Sequence, residues 1–128
     1  MRLLLDTCAF LWWDQDEGNL GPAALAAIAE PSNELFLSHV SIWEMQIKRQ
    51  RGKLHFRKPL EEIIQEQCAK NGLQLLPIEP LHIFRLDQLP LHHGDPFDRL
   101  MISQAVSVGM AVVTNDPEFH KYGVNIVW

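Results

Sequence analysis

The chain opens with an apolar run, Leu3-Leu4-Leu5, that stops at Asp6. Three consecutive leucines leave no polar face, so the run predicts a strand buried on both sides rather than an alternating edge strand. Beyond it the apolar spacing changes. Phe10, Trp13 and their neighbours fit a helical turn, and Gly21-Pro22 opens a second helical stretch through Ala29, with Pro22 at the first helical position, where its missing N–H costs nothing. Pro31-Ser32-Asn33 closes that stretch, and Leu35 to Leu37 reads as a second strand. A helix starting at Ser41 follows, with Trp43, Ile47 and Ile42 as its buried face, and Gly52 stops it.

A third helical pattern runs from Pro59 to Lys70, with Leu60, Ile63, Ile64 and Cys68 on one face, and Asn71-Gly72 ends it. Leu73 to Ile78 reads as a strand, Leu81 to Leu86 as a short helix, and Pro96 to Val108 as a longer helix that turns Phe97, Leu100, Met101, Ala105 and Val108 inward. Met110 to Val113 is an apolar strand ending in Thr114-Asn115-Asp116, and Val124 to Val127 is a last one. Strands alternating with helices predict an α/β domain with a mainly parallel sheet. No repeat or linker divides the pattern, and 128 residues at 47% apolar composition supply one continuous core, so a single domain over residues 1–128 is expected.

Composition narrows the setting. No apolar stretch approaches the roughly 20 residues that cross a bilayer, so a soluble, unexported protein with no membrane partner is expected. Cys8 and Cys68 show no CxxC or Cys/His spacing; they read as reduced thiols of a cytoplasmic protein rather than zinc ligands. The net charge of −5 argues against holding nucleic acid by a broad excess of cations. The charge is uneven, however: Lys48, Arg49, Arg51, Lys53, Arg57 and Lys58 supply six of the eleven basic residues, with no acid from Gln46 to Leu60. That segment is either an anion-binding surface or a solvated helix end whose cations complement the helix dipole.

The acids stand where chemistry can happen. Ligands of an open parallel sheet collect beyond the carboxyl ends of its strands, and Asp6 and Asp116 each closely follow an apolar strand. Each could equally be a helix cap. Ser41-Ile42-Trp43-Glu44 has the outline of a capping box, and Asp95-Pro96-Phe97-Asp98 combines a cap, a first-position proline and a first-turn acid. Capping would still bring Glu44 and Asp98 to the rim that Asp6 and Asp116 occupy. Four carboxylates facing one cavity repel one another, so that some protonate or a cation enters. An all-oxygen donor set favours Mg²⁺ or Mn²⁺ over zinc, and such an ion equips a site for phosphodiester hydrolysis.

Leu4-Leu5-Asp6-Thr7, Ser41-Ile42-Trp43-Glu44, His93-Gly94-Asp95-Pro96-Phe97-Asp98-Arg99-Leu100 with Gln104-Ala105, and Val113-Thr114-Asn115-Asp116, in this order and spacing, resemble the PIN-domain family, specifically VapC-like toxins of bacterial toxin–antitoxin systems. The resemblance spans nearly the whole chain. It implies a three-layer α/β/α fold and an Mg²⁺-dependent endoribonuclease, with Mn²⁺ a plausible substitute. It also implies a cognate antitoxin protein that covers the acidic site, and a homodimer. Matched residue by residue, Asp6, Glu44, Asp98 and Asp116 fall on the family's acidic positions as catalytic and metal-holding residues: Asp6 and Asp98 as direct ligands, Glu44 placing a water or second ion, Asp116 ligating directly or through water. Asp95 is expected to cap its helix.

Around these acids, His92 and His93 are expected as surface or supporting groups, and Trp12, Trp13 and Trp43 as core or partner-interface residues rather than base-stacking platforms. Arg99 and Thr114 stand open between function and structure. Two other readings compete with the nuclease. One is a noncatalytic module of the same fold that binds protein or RNA, its acids serving only as caps. The other is a phosphoacceptor domain, disfavoured because Thr7 and Cys8, not further acids, follow Asp6.

Overall fold

The computed structural model describes residues 1–128. Five parallel strands, β1 (Arg2–Leu5), β2 (Glu34–Ser38), β3 (Gln74–Leu76), β4 (Ala111–Val113) and β5 (Ile126–Val127), lie in the order β3-β2-β1-β4-β5. Seven helices connect them: α1 (Thr7–Gln15), α2 (Pro22–Ala29), α3 (His39–Gln50), α4 (Leu60–Asn71), α5 (Pro80–Phe84), α6 (Pro96–Val108) and α7 (Pro117–His120). Short 3₁₀ turns cover Glu17–Asn19 and Arg85–Gln88.

The wholly apolar strands explain the layering. Leu3 and Leu5 of β1, Leu35 and Leu37 of β2, and Ala111 and Val113 of β4 point to one face, where they pack with Phe10 and Trp13 of α1, Ala24 and Ile28 of α2, and Ile63 and Ile64 of α4. Leu4 and Val112 point to the other, against Met101, Ile102 and Ala105 of α6 and Phe119 of α7. A strand sandwiched in this way must be apolar at every position. Each fully buried leucine contributes roughly 1.5–3 kcal/mol, and Leu3, Leu4 and Leu5 are all fully buried. Helix α3 serves both layers, Met45 joining the first and Val40 the second. The result is the expected three-layer α/β/α architecture.

The observed elements sharpen the expected ones. Helices α2 and α6 have the expected limits, and α4 ends in Gly72, whose φ of 67° is the left-handed conformation a helix terminus favours. Helix α3 does not begin at Ser41. Ser38, extended at the end of β2, is its cap and accepts the N–H of Val40, because a start at His39 is what buries Val40. The buried face is then Val40, Ser41, Glu44 and Met45, while Trp43 is 56% exposed and rests edge-on against Phe97. Of the other tryptophans, Trp13 is core and Trp12 packs on Trp128. No helix is long and apolar enough to cross a membrane.

Strand order matters most for function. From β1 the chain builds outward to β2 and β3 on one side, then returns to place β4 and β5 on the other. Direction reverses between β1 and β4, and the helices leaving those two strands part there, which opens the place where such sheets bind ligands. Leu5 and Val113 are paired across this point, and the ladder continues one residue further through a hydrogen bond from the Asp6 N–H to the Val113 carbonyl, 3.1 Å.

Candidate active site

Asp6 is the first residue beyond β1 and caps α1, its Oδ1 accepting the N–H of Ala9 at 2.7 Å. Its Oδ2 accepts the hydroxyl of Thr114, the first residue beyond β4. Thr114 in turn accepts the N–H of Asp116 through the same Oγ1 at 3.0 Å. One threonine therefore fixes both strand-end loops, which settles its role as an organiser of the two acids. Asp116 caps α7, accepting the N–H of Glu118. For both aspartates capping and a place at the rim coexist.

Glu44 is not a cap. With α3 starting at His39, Glu44 lies in its second turn, where it is 6% exposed. Thr7 donates its hydroxyl to Oε1 at 2.6 Å, and Lys48, one turn further on, donates to Oε2 at 2.7 Å. An acid this deep in a helix that already has a serine cap is not needed to start it; its one contribution to the helix is the i,i+4 pair with Lys48.

Asp95 caps α6 as expected, its Oδ1 accepting the N–H groups of Phe97 and Asp98. That leaves the Asp98 side chain free of capping duty, and its Oδ2 meets His93 Nε2 at 3.1 Å. His93 is thus a direct partner of an acid, not a surface group. Arg99 reaches away from the acids to the carbonyls of Pro90 and Leu89 and the hydroxyl of Tyr122, so it holds the segment before α6 in place. His92 lies against the Tyr122 ring.

Electrostatics tie these acids into one group. Burial pushes the Asp6 carboxyl up from 3.8 to about 6, against the lowering effect of its hydrogen bonds, with the charges of Asp116 and Glu44 adding to the rise. Burial likewise raises Asp98 to about 6, opposed by the His93 hydrogen bond and assisted by Asp95, Asp116 and Glu44. Two carboxyls whose ionisation is pushed up to about pH 6, each sensing Asp116 and Glu44, gather negative charge at neutral pH that a cation would relieve. All its donors are oxygens, which fits a hard divalent ion. The acids do not meet in a closed cage. No three acidic, histidine or cysteine side chains stand close enough to share an ion, and Thr114, Thr7 and Lys48 engage oxygens of Asp6 and Glu44. Clefts of about 520 to 600 Å³ lie elsewhere on the molecule. The site is an open rim.

Two partners escaped the sequence. Lys48 carried a usable signal, its i+4 spacing from Glu44. Tyr122 carried none, since only the tertiary fold brings it to His93, 2.7 Å from its Nδ1.

The architecture recurs in solved structures. VapBC2 from Rickettsia felis, bound to a DNA fragment from its promoter, matches with a TM-score of 0.73 at 15% identity over 98% of this chain and 97% of that one. DNA-bound VapBC from Salmonella typhimurium matches at 0.69, with 17% identity over 98% and 96%. In sequence, the chain is 30% identical over 121 residues to Ribonuclease VapC22 of Mycobacterium tuberculosis (strain ATCC 25618 / H37Rv), covering 94% of this chain and 91% of that protein. The family model described as PIN domain matches residues 3–125, and with the acids at the switch point of a parallel sheet, the chain belongs to the PIN-domain family.

Proposed function

We propose that this chain is a metal-dependent endoribonuclease that hydrolyses RNA phosphodiesters, acting as the toxin of a toxin–antitoxin pair in the cytoplasm. The observation that carries this reading is the electrostatic group of Asp6, Glu44, Asp98 and Asp116 in a chain 30% identical to a named ribonuclease. Asp6, Asp98 and Asp116, which as arranged do not stand close enough to share an ion, would draw together on Mg²⁺, or Mn²⁺ in its place, with Glu44 beside them. When bound, the ion supplies positive charge for the phosphate and lowers the pKa of a water. The chain's own residues do the rest. Thr114 keeps Asp6 and Asp116 in register, Thr7 orients Glu44, and Lys48 offsets part of the negative charge. A cognate antitoxin is the partner that silences the site, as the VapBC complexes among its structural neighbours support, and the active form is a homodimer.

The direct test is cleavage of single-stranded RNA by the purified chain. Cleavage is expected with Mg²⁺ or Mn²⁺, is abolished by a chelator and returns when the ion is restored. Activity that persists in chelator, or none with either ion, would support a noncatalytic binding module instead.

The basic segment supplies a second test. Lys48 is committed to Glu44 and Lys58 to Glu66, whereas Arg49, Arg51, Lys53 and Arg57 are exposed and have no ion-pair partner. Arg49 and Arg57 also line a groove with His55. Replacing Arg49, Arg51 and Lys53 with glutamine is expected to weaken RNA binding and to flatten the log–log salt dependence by about 0.7 for each phosphate that is no longer neutralised. An unchanged slope would make the segment a solvated surface.

A further inference from the structure

Hydrogen-bond accounting around Tyr122 fixes where the proton of a neutral His93 sits. The phenolic oxygen has one proton to donate and two lone pairs to accept with. Three groups converge on it: the backbone N–H of His93 at 3.2 Å, Nη1 of Arg99 at 3.2 Å and Nδ1 of His93 at 2.7 Å. The backbone amide and the guanidinium can only donate, so they fill both lone pairs. The phenol proton must then go to the remaining neighbour, and His93 Nδ1 must be the acceptor.

A neutral imidazole that accepts at Nδ1 carries its proton on Nε2, and Nε2 faces Asp98 Oδ2 at 3.1 Å. The opposite tautomer would set a third donor against the phenol oxygen and a bare nitrogen lone pair against a carboxylate oxygen. We propose that Tyr122 acts through His93 as a positioning pair for Asp98: Tyr122 donates to Nδ1, this sets the Nε2–H tautomer, and Nε2–H holds Asp98 Oδ2 so that Oδ1 is presented to the site. Arg99 belongs to the device, because its N–H occupies a lone pair through which Tyr122 would otherwise accept from His93. The chain of contacts joins the segment after α7, the loop before α6 and the first turn of α6. The proposal rests on the nuclease reading only for its effect on rate; the proton's location stands on geometry alone.

The test is made on the full chain without metal or RNA, by nitrogen NMR of the ¹⁵N-labelled histidines, at a pH where His93 is neutral. His93 is expected to show a protonated Nε2 and an unprotonated, hydrogen-bonded Nδ1. In Tyr122→Phe, which keeps the ring and leaves the Asp98 contact as the remaining bias toward Nε2–H, the hydrogen-bonded Nδ1 signature should vanish and the Nδ1–H form should become populated. The RNA-cleavage assay then adds a rate: Tyr122→Phe and His93→Ala should lower kcat by about 10- to 100-fold, the range for groups that orient metal ligands, with KM for RNA within twofold. His93→Gln, which keeps an N–H to offer Asp98, should recover part of the loss. A proton on Nδ1 in the wild-type chain, or a tautomer pattern unchanged in Tyr122→Phe, overturns the proposal. An inactive wild-type chain with the expected nitrogen pattern would instead count against the nuclease reading and leave the tautomer assignment in force.

Discussion

Asp98→Asn, and separately Asp6→Asn, is expected to lower magnesium-dependent RNA cleavage by roughly 10³-fold or more, equivalent to about 4 kcal/mol of transition-state stabilisation, while the domain stays folded. Asparagine has nearly the shape of aspartate and keeps one acceptor oxygen. In Asp98→Asn the contact to His93 and the Asp95 cap of α6 survive, and in Asp6→Asn the amide oxygen still accepts the Ala9 N–H that starts α1. The negative charge goes, and with it the means of holding a divalent ion; in Asp6→Asn the Thr114 hydroxyl also loses the acceptor it has in Oδ2. Circular dichroism and gel-based cleavage of the same preparations check both halves. Full activity in both folded variants would remove Asp6 and Asp98 from the chemistry.

The second large effect is on stability, and its sign follows from the same burial. The Asp6 carboxyl sits near 6 in the folded chain and near 3.9 when unfolded. A carboxyl raised in this way favours the folded state while protonated, and the benefit is fully present below about 4. It is lost as pH rises through 6, at a cost of roughly 3 kcal/mol. The neutral amide introduced by Asp6→Asn escapes that loss. The variant should therefore gain on the wild type between pH 4.5 and 7.5, reaching a Tm advantage of about 10 °C in metal-free buffer. Mg²⁺ or Mn²⁺ should raise the Tm of the wild type at pH 7.5 and close the gap, because an ion that binds only the folded chain stabilises it by mass action. A Tm difference that does not change with pH would mean that burial places no strain on this carboxyl.

How much of this could be read beforehand depended on whether the signal was local. The β1 run of leucines, Pro22 at the start of α2 and Pro96 at the start of α6 announce themselves within a few residues, and the structure keeps them. Helix α3 was harder because Ser38 and Ser41 are both competent caps. Choosing between them required knowing that Val40 would be buried against α6, a tertiary fact. The mistaken start had made Glu44 look like a capping residue, and the true start returns it to the acids. Helix α7, four residues long, has too little periodicity to register. At the site, Asp6 and Asp116 lie just after their strands and Asp98 in the first turn of α6 as expected, whereas Glu44 stands out in the sequence through a helix start that the structure moves. Thr114 is open between function and structure in the sequence, and its reach across 108 positions to Asp6, like that of Tyr122 across 29 to His93, is a separation that no sequence spacing encodes.

The pairing of β1 with β4 also sets when the chain can become active. Contacts between residues so far apart in sequence carry a large loop-closure cost and form late. A polypeptide emerging from the ribosome acquires Asp6, Glu44 and Asp98 by the time α6 is made, but β1 then lacks its β4 neighbour. Asp6 still lacks the Thr114 hydroxyl, and Asp116 has yet to be synthesised. The two strand-end loops that carry Asp6 and Asp116 can therefore come together only after β4 has been made.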